Sequence, residues 1–383
     1  MRLRKEPKEI AVLTLLGTAS LAACFFLWGS KDRAFGRRFI EDQANAHGPD
    51  GYATDGFTYG DLYRYAEVGP LPRPIKMMND ATSDAGINDA QVLMFGDSFT
   101  TYGMDSRPLP FELEKASGIK TFNAGAADFW LTDYLGSHAF DPQHHQAKVA
   151  VVETVERNIF RNLDKDGFSG PLDGTEPASF GQANIDQAVR GSPLLVTLRS
   201  WVSGAFYQGL GQAEVEYFIK RNRFVDPFRR WLKEIAFRYF GDLDTNIGAY
   251  SSAHQMFFYR DEVEFARDAA KLTQAEMDRL ADRIDMAGKT LREKYGLKMV
   301  LAVMPDKYTV YRDYLPDVES YDGFLPQLQA ALKKRGVDYI DMYSVERQMH
   351  AERPDLLLYY PSDTHYNVIG KKLLIDRLKD YLQ

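Results

Sequence analysis

The chain has 383 residues, a net charge of −7, 45% apolar and 26% charged residues. That length and balance exclude disorder for most of the chain and allow two or three structural units, while the negative charge excludes a broad basic footprint for nucleic acid. One cysteine and seven histidines exclude an intramolecular disulfide and a thiolate-rich metal centre, so no metal or other cofactor is expected.

The first predicted element is residues 10–29, IAVLTLLGTASLAACFFLWG, which carries no charge. At 1.5 Å per residue it matches a bilayer core of about 30 Å, so residues 1–30 read as a single-pass transmembrane anchor. Arg2, Arg4, Lys5 and Lys8 precede it and Lys31, Arg33, Arg37 and Arg38 follow it, which leaves the positive-inside rule little to discriminate. By analogy with signal anchors, the short basic N-terminus stays in the cytoplasm and the body lies beyond a bacterial inner membrane, in the periplasm. Leu21-Ala22-Ala23-Cys24 offers an alternative, because it resembles the lipobox of bacterial lipoproteins, with Cys24 as the lipidated residue. Both readings put residues from 31 onward in one compartment.

Residues 31–88, punctuated by GPDGYATDGFTYGD and GPLPRP, show no sustained period. They read as a linker packed on the body through Tyr52, Phe57, Tyr59, Tyr63 and Tyr65. Short apolar runs follow at 91–95, 120–122, 148–152, 298–304 and 337–340. Continuous apolarity marks strands buried on both faces, as in a parallel sheet. Just before the run at 298–304, Thr273-Gln274-Ala275-Glu276 is a capping box that opens a helix closed by Gly296, and after the last run Asn367 caps a final helix. The alternation predicts an α/β fold with a doubly wound parallel sheet, its halves at 89–160 and 273–383, and a site at the carboxyl ends of the strands.

Residues 161–272 are too long for a connection and read as a mostly helical, aromatic-rich insertion. Within it, residues 220–240 (KRNRFVDPFRRWLKEIAFRYF) interleave seven Lys and Arg with aromatic positions. One reading is a helix with a solvated basic face and a buried aromatic one. The other is a face that meets lipid headgroups or a membrane partner.

The first strand ends in Phe95-Gly96-Asp97-Ser98-Phe99-Thr100, which puts Ser98 on a glycine-assisted turn into a helix. The last loop reads Tyr360-Pro361-Ser362-Asp363-Thr364-His365-Tyr366-Asn367. In an extended segment Asp363 and His365 share a side, so the carboxylate can orient one imidazole nitrogen and leave the other for a serine hydroxyl. Each motif alone is compatible with a turn or a structural pair. Together they supply nucleophile, base and orienter at one sheet edge. His138, Asp141, His144 and His145 cluster in sequence, but their spacing fits no defined metal site and reads as a polar loop.

Gly96-Asp97-Ser98 and Asp363-Thr364-His365 resemble the SGNH (GDSL-like) hydrolase superfamily, and within it the AlgX/AlgJ-like branch of alginate O-acetyltransferases. Asn123-Ala124-Gly125, the Glu-x-x-x-Arg of Glu153 and Arg157, Met304-Pro305-Asp306-Lys307-Tyr308 and the tail from Tyr359 to Gly370 are similar to further blocks. The serine precedes Asp-x-His, the reverse of the order in that branch's best-known members. The resemblance implies a flavodoxin-like three-layer fold with Ser98 as nucleophile, His365 as base and acid, and Asp363 as its orienter. It also implies an oxyanion hole from the Ser98 and Gly125 N–H groups, with Arg157 or Asn158 as third donor. Arg157 reads equally as an ion-pair partner of Glu153 or Glu156. Tyr102 reads as packing or as lining the site, and Lys307 as a substrate contact or an exposed strand-end lysine.

The activity the resemblance implies is an O-acetyltransferase acting on a polysaccharide acceptor, with a membrane-bound O-acyltransferase supplying the acyl group. A carbohydrate esterase would need the same residues. A non-catalytic scaffold of a polysaccharide synthesis or export complex would need none of the three.

Overall fold

The structure is a computed structural model that describes residues 59–76, 78, 85–125, 131–136, 140–163, 225–316 and 323–383. The expected anchor at 10–29, Cys24, Tyr52, Phe57 and His138 lie outside these residues. Among the described residues no helix is long and apolar enough to cross a membrane. The chain divides into two compact units, residues 1–55 with 181–243 and residues 56–180 with 244–383.

The second unit runs through α1 (Asp61–Ala66), β1 (Val92–Phe95), α2 (Ser98–Thr101), α3 (Leu109–Ser117), β2 (Thr121–Asn123), α4 (Leu131–Gly136), β3 (Val149–Val155) and α5 (Ile159–Leu163). The first unit contributes α6 (Val225–Phe240). The second resumes with β4 (Ile247–Ser251), β5 (Met256–Tyr259), α7 (Arg260–Ala269), α8 (Gln274–Tyr295), β6 (Lys298–Met304), α9 (Lys307–Tyr311), α10 (Phe324–Arg335), β7 (Asp338–Ile340), α11 (Met342–Glu352) and α12 (Val368–Leu382).

The five apolar runs form one parallel sheet in the order β2-β1-β3-β6-β7. Alternate residues of each strand enter different cores, which is why the runs carry no period of two. Leu93, Phe95, Ala150, Val152, Leu301 and Val303 pack with Leu280, Ile284 and Leu291 of α8 and Leu328 and Leu332 of α10. Val92, Met94, Val151, Val300 and Ala302 pack with Leu109 and Leu113 of α3 and Leu374 and Leu378 of α12. Burying each such aliphatic side chain contributes about 1.5–3 kcal/mol, so the doubly covered sheet dominates stability. The strand order reverses at β1, and the crevice of such a sheet opens at the carboxyl ends of the two strands flanking that switch point, here β1 and β3.

The predicted caps are present. Thr273 accepts from the Glu276 N–H while Glu276 reaches back to the Thr273 N–H, and Asn367 accepts from the N–H groups of Ile369 and Gly370 at 2.8 and 3.2 Å. Residues 244–272, read from the sequence as the helical end of an insertion, instead form the antiparallel hairpin β4–β5 and helix α7. Met256 and Phe258 enter the second core, while Phe257 stacks on Tyr250 at 4.4 Å and meets Tyr63 of α1 edge-on at 6.3 Å. Both faces of β5 are therefore apolar, and no alternation betrays the strand.

Helix α6 also departs from the first of its two readings. Phe228, Trp231 and Tyr239 fall on one face at helical spacing and are 58, 55 and 77% exposed, whereas Arg229, Arg230 and Lys233 are half-buried. The aromatic face looks outward.

Candidate active site

Ser98 owes its position to the turn between β1 and α2. Asp97 caps α2 by accepting from the Phe99 N–H at 3.0 Å, and its other oxygen accepts from the Val155 N–H of β3 at 3.1 Å. Thr100 donates to buried Glu153 of β3 at 2.8 Å. A Cβ on Gly96 would lie 2.1 Å from Thr100 Oγ1 and 2.6 Å from Glu153 Oε2, so only glycine fits there. Burial, then the Asp97 carboxylate, pushes Glu153 well above the ordinary range and favours its protonated form. The serine turn is thus stitched to the neighbouring strand, with Ser98 half-buried at its edge.

The Asp-x-His loop is held from three directions. Tyr366 donates its hydroxyl to the Phe99 carbonyl, and Tyr359 donates to the Pro305 carbonyl at 2.6 Å. The Lys307 ammonium, at the start of α9, donates to the carbonyls of Asp363, Tyr360 and Pro361 at 2.7, 3.2 and 3.4 Å. From α1, the Asp61 N–H donates to Asp363 Oδ2 at 2.7 Å, while the Asp61 carboxylate accepts from the Thr364 N–H at 2.8 Å and its hydroxyl at 2.6 Å.

The two segments meet in one hydrogen-bonded chain. Ser98 Oγ lies 2.7 Å from His365 Nε2, and His365 Nδ1 lies 2.6 Å from Asp363 Oδ1, which also accepts from the His365 N–H at 2.9 Å. The Phe99 and Tyr102 rings pack 4.9 and 5.6 Å from the imidazole. Burial acts to raise Asp363, but the adjoining imidazole and the hydrogen bonds outweigh it and hold the carboxyl below its usual range. Burial acts to lower His365, and Asp363, with Asp61 behind it, outweighs burial and holds the imidazole above its ordinary value of 6.5. The arrangement can accept a proton from the hydroxyl at one end and stabilise the resulting imidazolium at the other.

Ser98, His365, Asp363 and Tyr102 are therefore brought together. Gly125 lies beside the serine turn, where an added Cβ would stand 2.1 Å from the Thr101 side chain, and its N–H donates to Asn123 Oδ1 at 3.0 Å. Arg157 and Asn158 stand in the 3₁₀ turn that follows β3, both half-buried. The Arg157 guanidinium pairs with Asp306 at 2.5 Å and lies 3.5 Å from Glu262, so its acidic partners come from the end of β6 and from α7, not from Glu153 or Glu156. Glu156 instead accepts from the Asp306 N–H at 3.0 Å. The Glu-x-x-x-Arg segment thus ties the end of β3 to both neighbouring strand ends.

Lys307 is neither of the things the sequence suggested. It is fully buried and its ammonium is turned onto the loop that carries Asp363 and His365. Burial lowers its pKa to about 8 against the attraction of Glu262, Asp61 and Asp363. Lys307→Met keeps most of the volume but leaves the Asp363 carbonyl without this donor and removes the positive charge facing Glu262. It is expected to reduce the unfolding free energy by about 2–4 kcal/mol in a denaturant titration.

Asp61 is the residue that sequence reasoning missed. Gly60-Asp61 opening a short helical pattern is a faint local signal, and nothing in it points to residue 363. Asp61, Asp363 and His365 also form the only group among the described residues whose potential metal-ligand atoms all lie within 4.8 Å of one another. Those atoms already hold hydrogen bonds, to one another, to the Asp61 N–H and to the N–H and hydroxyl of Thr364. Of the other histidine cluster, His144 pairs with Asp141 at 3.0 Å and His145 packs on Phe140.

Residues 254–381 match the family model described as SGNH hydrolase-like domain, acetyltransferase AlgX. The match takes in β5 through most of α12, with Asp363 and His365, and bears out the family resemblance read from the motifs; Ser98 precedes it. No curated protein and no solved structure matches the chain.

Proposed function

We propose that this chain, with its AlgX-type SGNH hydrolase-like domain, is an O-acetyltransferase that carries an acetyl group on Ser98 and passes it to a hydroxyl of an exopolysaccharide. The hydroxyl–imidazole–carboxylate chain, with links of 2.7 and 2.6 Å at the edge of the parallel sheet, is the observation that supports it most. Ser98 Oγ attacks the donor's acetyl carbonyl as His365 Nε2 takes its proton, and Asp363 holds the imidazole with Nδ1 protonated. The tetrahedral intermediate collapses as His365 returns the proton to the departing donor oxygen. A sugar hydroxyl then gives its proton to His365 and attacks the acyl-Ser98 ester, releasing the acetylated sugar and restoring the serine.

The Ser98 and Gly125 N–H groups are the oxyanion donors in this reading. Gly125 must first leave Asn123, and Asn158 is the third candidate, since Arg157 is engaged with Asp306. The donor is an acetyl group delivered by a membrane-bound O-acyltransferase, and the body works on the periplasmic side of an inner membrane to which residues 10–29 tether it. The outward Phe228, Trp231 and Tyr239 of α6, interspersed with arginines, support a membrane-facing position for that helix.

The full chain in detergent, given an activated acetyl ester and a panel of oligosaccharides, is expected to yield acetylated oligosaccharide in excess of free acetate with at least one acceptor. Release of acetate alone with every acceptor would make the enzyme an esterase.

A further inference from the structure

The N-terminal segment reaches the catalytic loop through a designed fit. The Leu62 and Tyr63 N–H groups both donate to the Ser362 carbonyl, at 3.1 and 3.0 Å. Gly60 has φ +96°, and a Cβ there would lie 2.2 Å from that same carbonyl oxygen, so the approach of α1 demands glycine on two counts. The close approach brings Asp61 into contact with both residues that precede His365. Its backbone N–H meets Asp363 Oδ2, and its carboxylate meets the Thr364 N–H and hydroxyl. Asp61 thereby fixes the carboxylate that orients the imidazole, and it adds a second negative charge beside it.

We propose that Asp61 is a positioning residue of the acyl-transfer site, acting through Asp363 and Thr364 to hold His365 in place and keep its imidazole basic. The inference rests on the role given to Ser98, His365 and Asp363 above. It makes α1, in the stretch that the sequence presents as a linker, part of the working centre.

The electrostatics agree in sign. The charges facing His365 are Asp363 on its own loop, Asp61 on α1 and Arg157 after β3; the first two favour the imidazolium and the last opposes it. Asp61 itself is pushed up to about 6 by burial and then by Asp363, against the pull of His365, Thr364 and Lys307. An ionised Asp61 thus supports the basicity of His365 above about pH 6.

The test is Asp61→Asn, which keeps an oxygen for the Thr364 N–H but removes the charge, alongside Asp61→Ala. In the full chain in detergent, the His365 imidazole is titrated by ¹⁵N NMR and kcat/KM for an activated acetyl ester is followed against pH. Asp61→Asn is expected to lower the His365 midpoint by about one pH unit, the effect of one charge at this range, and to move the acidic limb of kcat/KM down with it. Asp61→Ala is expected to lower kcat a further 10- to 100-fold, typical of groups that orient a functional residue through its partner. An unchanged His365 midpoint in Asp61→Asn would overturn the proposal, even where Asp61→Ala fails to fold. The midpoint does not depend on turnover, so a midpoint that falls as expected in Asp61→Asn, with a parent chain that transfers no acyl group, would defeat the acyl-transfer reading and leave the role of Asp61 standing.

Discussion

Ser98→Ala is expected to reduce acetyl transfer by about 10⁴- to 10⁶-fold while leaving the unfolding midpoint nearly unchanged. Among the described residues, the Ser98 hydroxyl is the group that combines a 2.7 Å link to His365 Nε2 with a position on the half-buried rim of the sheet, so the proposed nucleophile has no described substitute. The turn itself does not depend on that hydroxyl. It is held by Asp97, Thr100 and Glu153 and by the steric demand for glycine at residue 96, none of which alanine disturbs. Activity loss without stability loss is therefore the signature to look for. Groups that act as one unit are non-additive, so Ser98→Ala with His365→Ala should be no slower than either alone. Initial rates with an activated acetyl ester and circular-dichroism melts would check both statements. A Ser98→Ala chain as active as its parent would remove the proposed nucleophile.

Asp363→Asn carries the second large effect, a fall in kcat of about 10⁴-fold, of the size seen when the orienting carboxylate of such a chain loses its charge. Both oxygens of Asp363 accept backbone N–H groups, from His365 on one side and Asp61 on the other. An asparagine must turn its NH₂ toward one of them. Directed at His365, it stabilises the wrong tautomer; directed at Asp61, it breaks the tie to α1. In either orientation the negative charge that holds the imidazolium is gone. Because Asp363 is the foremost group raising the His365 pKa, the imidazole midpoint should fall further here than in Asp61→Asn. The acidic limb of the rate profile, where protonation disables the base, should move to lower pH in the same order. NMR titration of both variants checks the ranking, and Asp363→Asn with parental kcat would remove Asp363 from the mechanism.

The three central sheet strands were legible because a strand covered on both faces needs an apolar residue at nearly every position, and residues 92–95, 149–155 and 298–304 satisfy that locally. The caps at Thr273 and Asn367 were legible because a cap is completed within three residues. The motifs around Ser98 and Asp363 were legible for the same reason: a turn after a strand and an alternate-residue pair are short-range chemistry.

Other features had no such local trace. Strand β5 hid because both of its faces are apolar or aromatic, and the aromatic row of α6 shows the same periodicity whether it faces in or out. Arg157 was legible as a residue needing acidic partners, but the neighbours in sequence, Glu153 and Glu156, lost to Asp306 and Glu262, which the sheet brings closer. Lys307 and Asp61 were decided only by the tertiary structure, since their partners in the loop around Asp363 lie more than fifty and about three hundred positions away. Chemistry carried within one turn or strand is written in the spacing of residues; chemistry carried by chain crossings depends on which surfaces pack, and packing has no period to read.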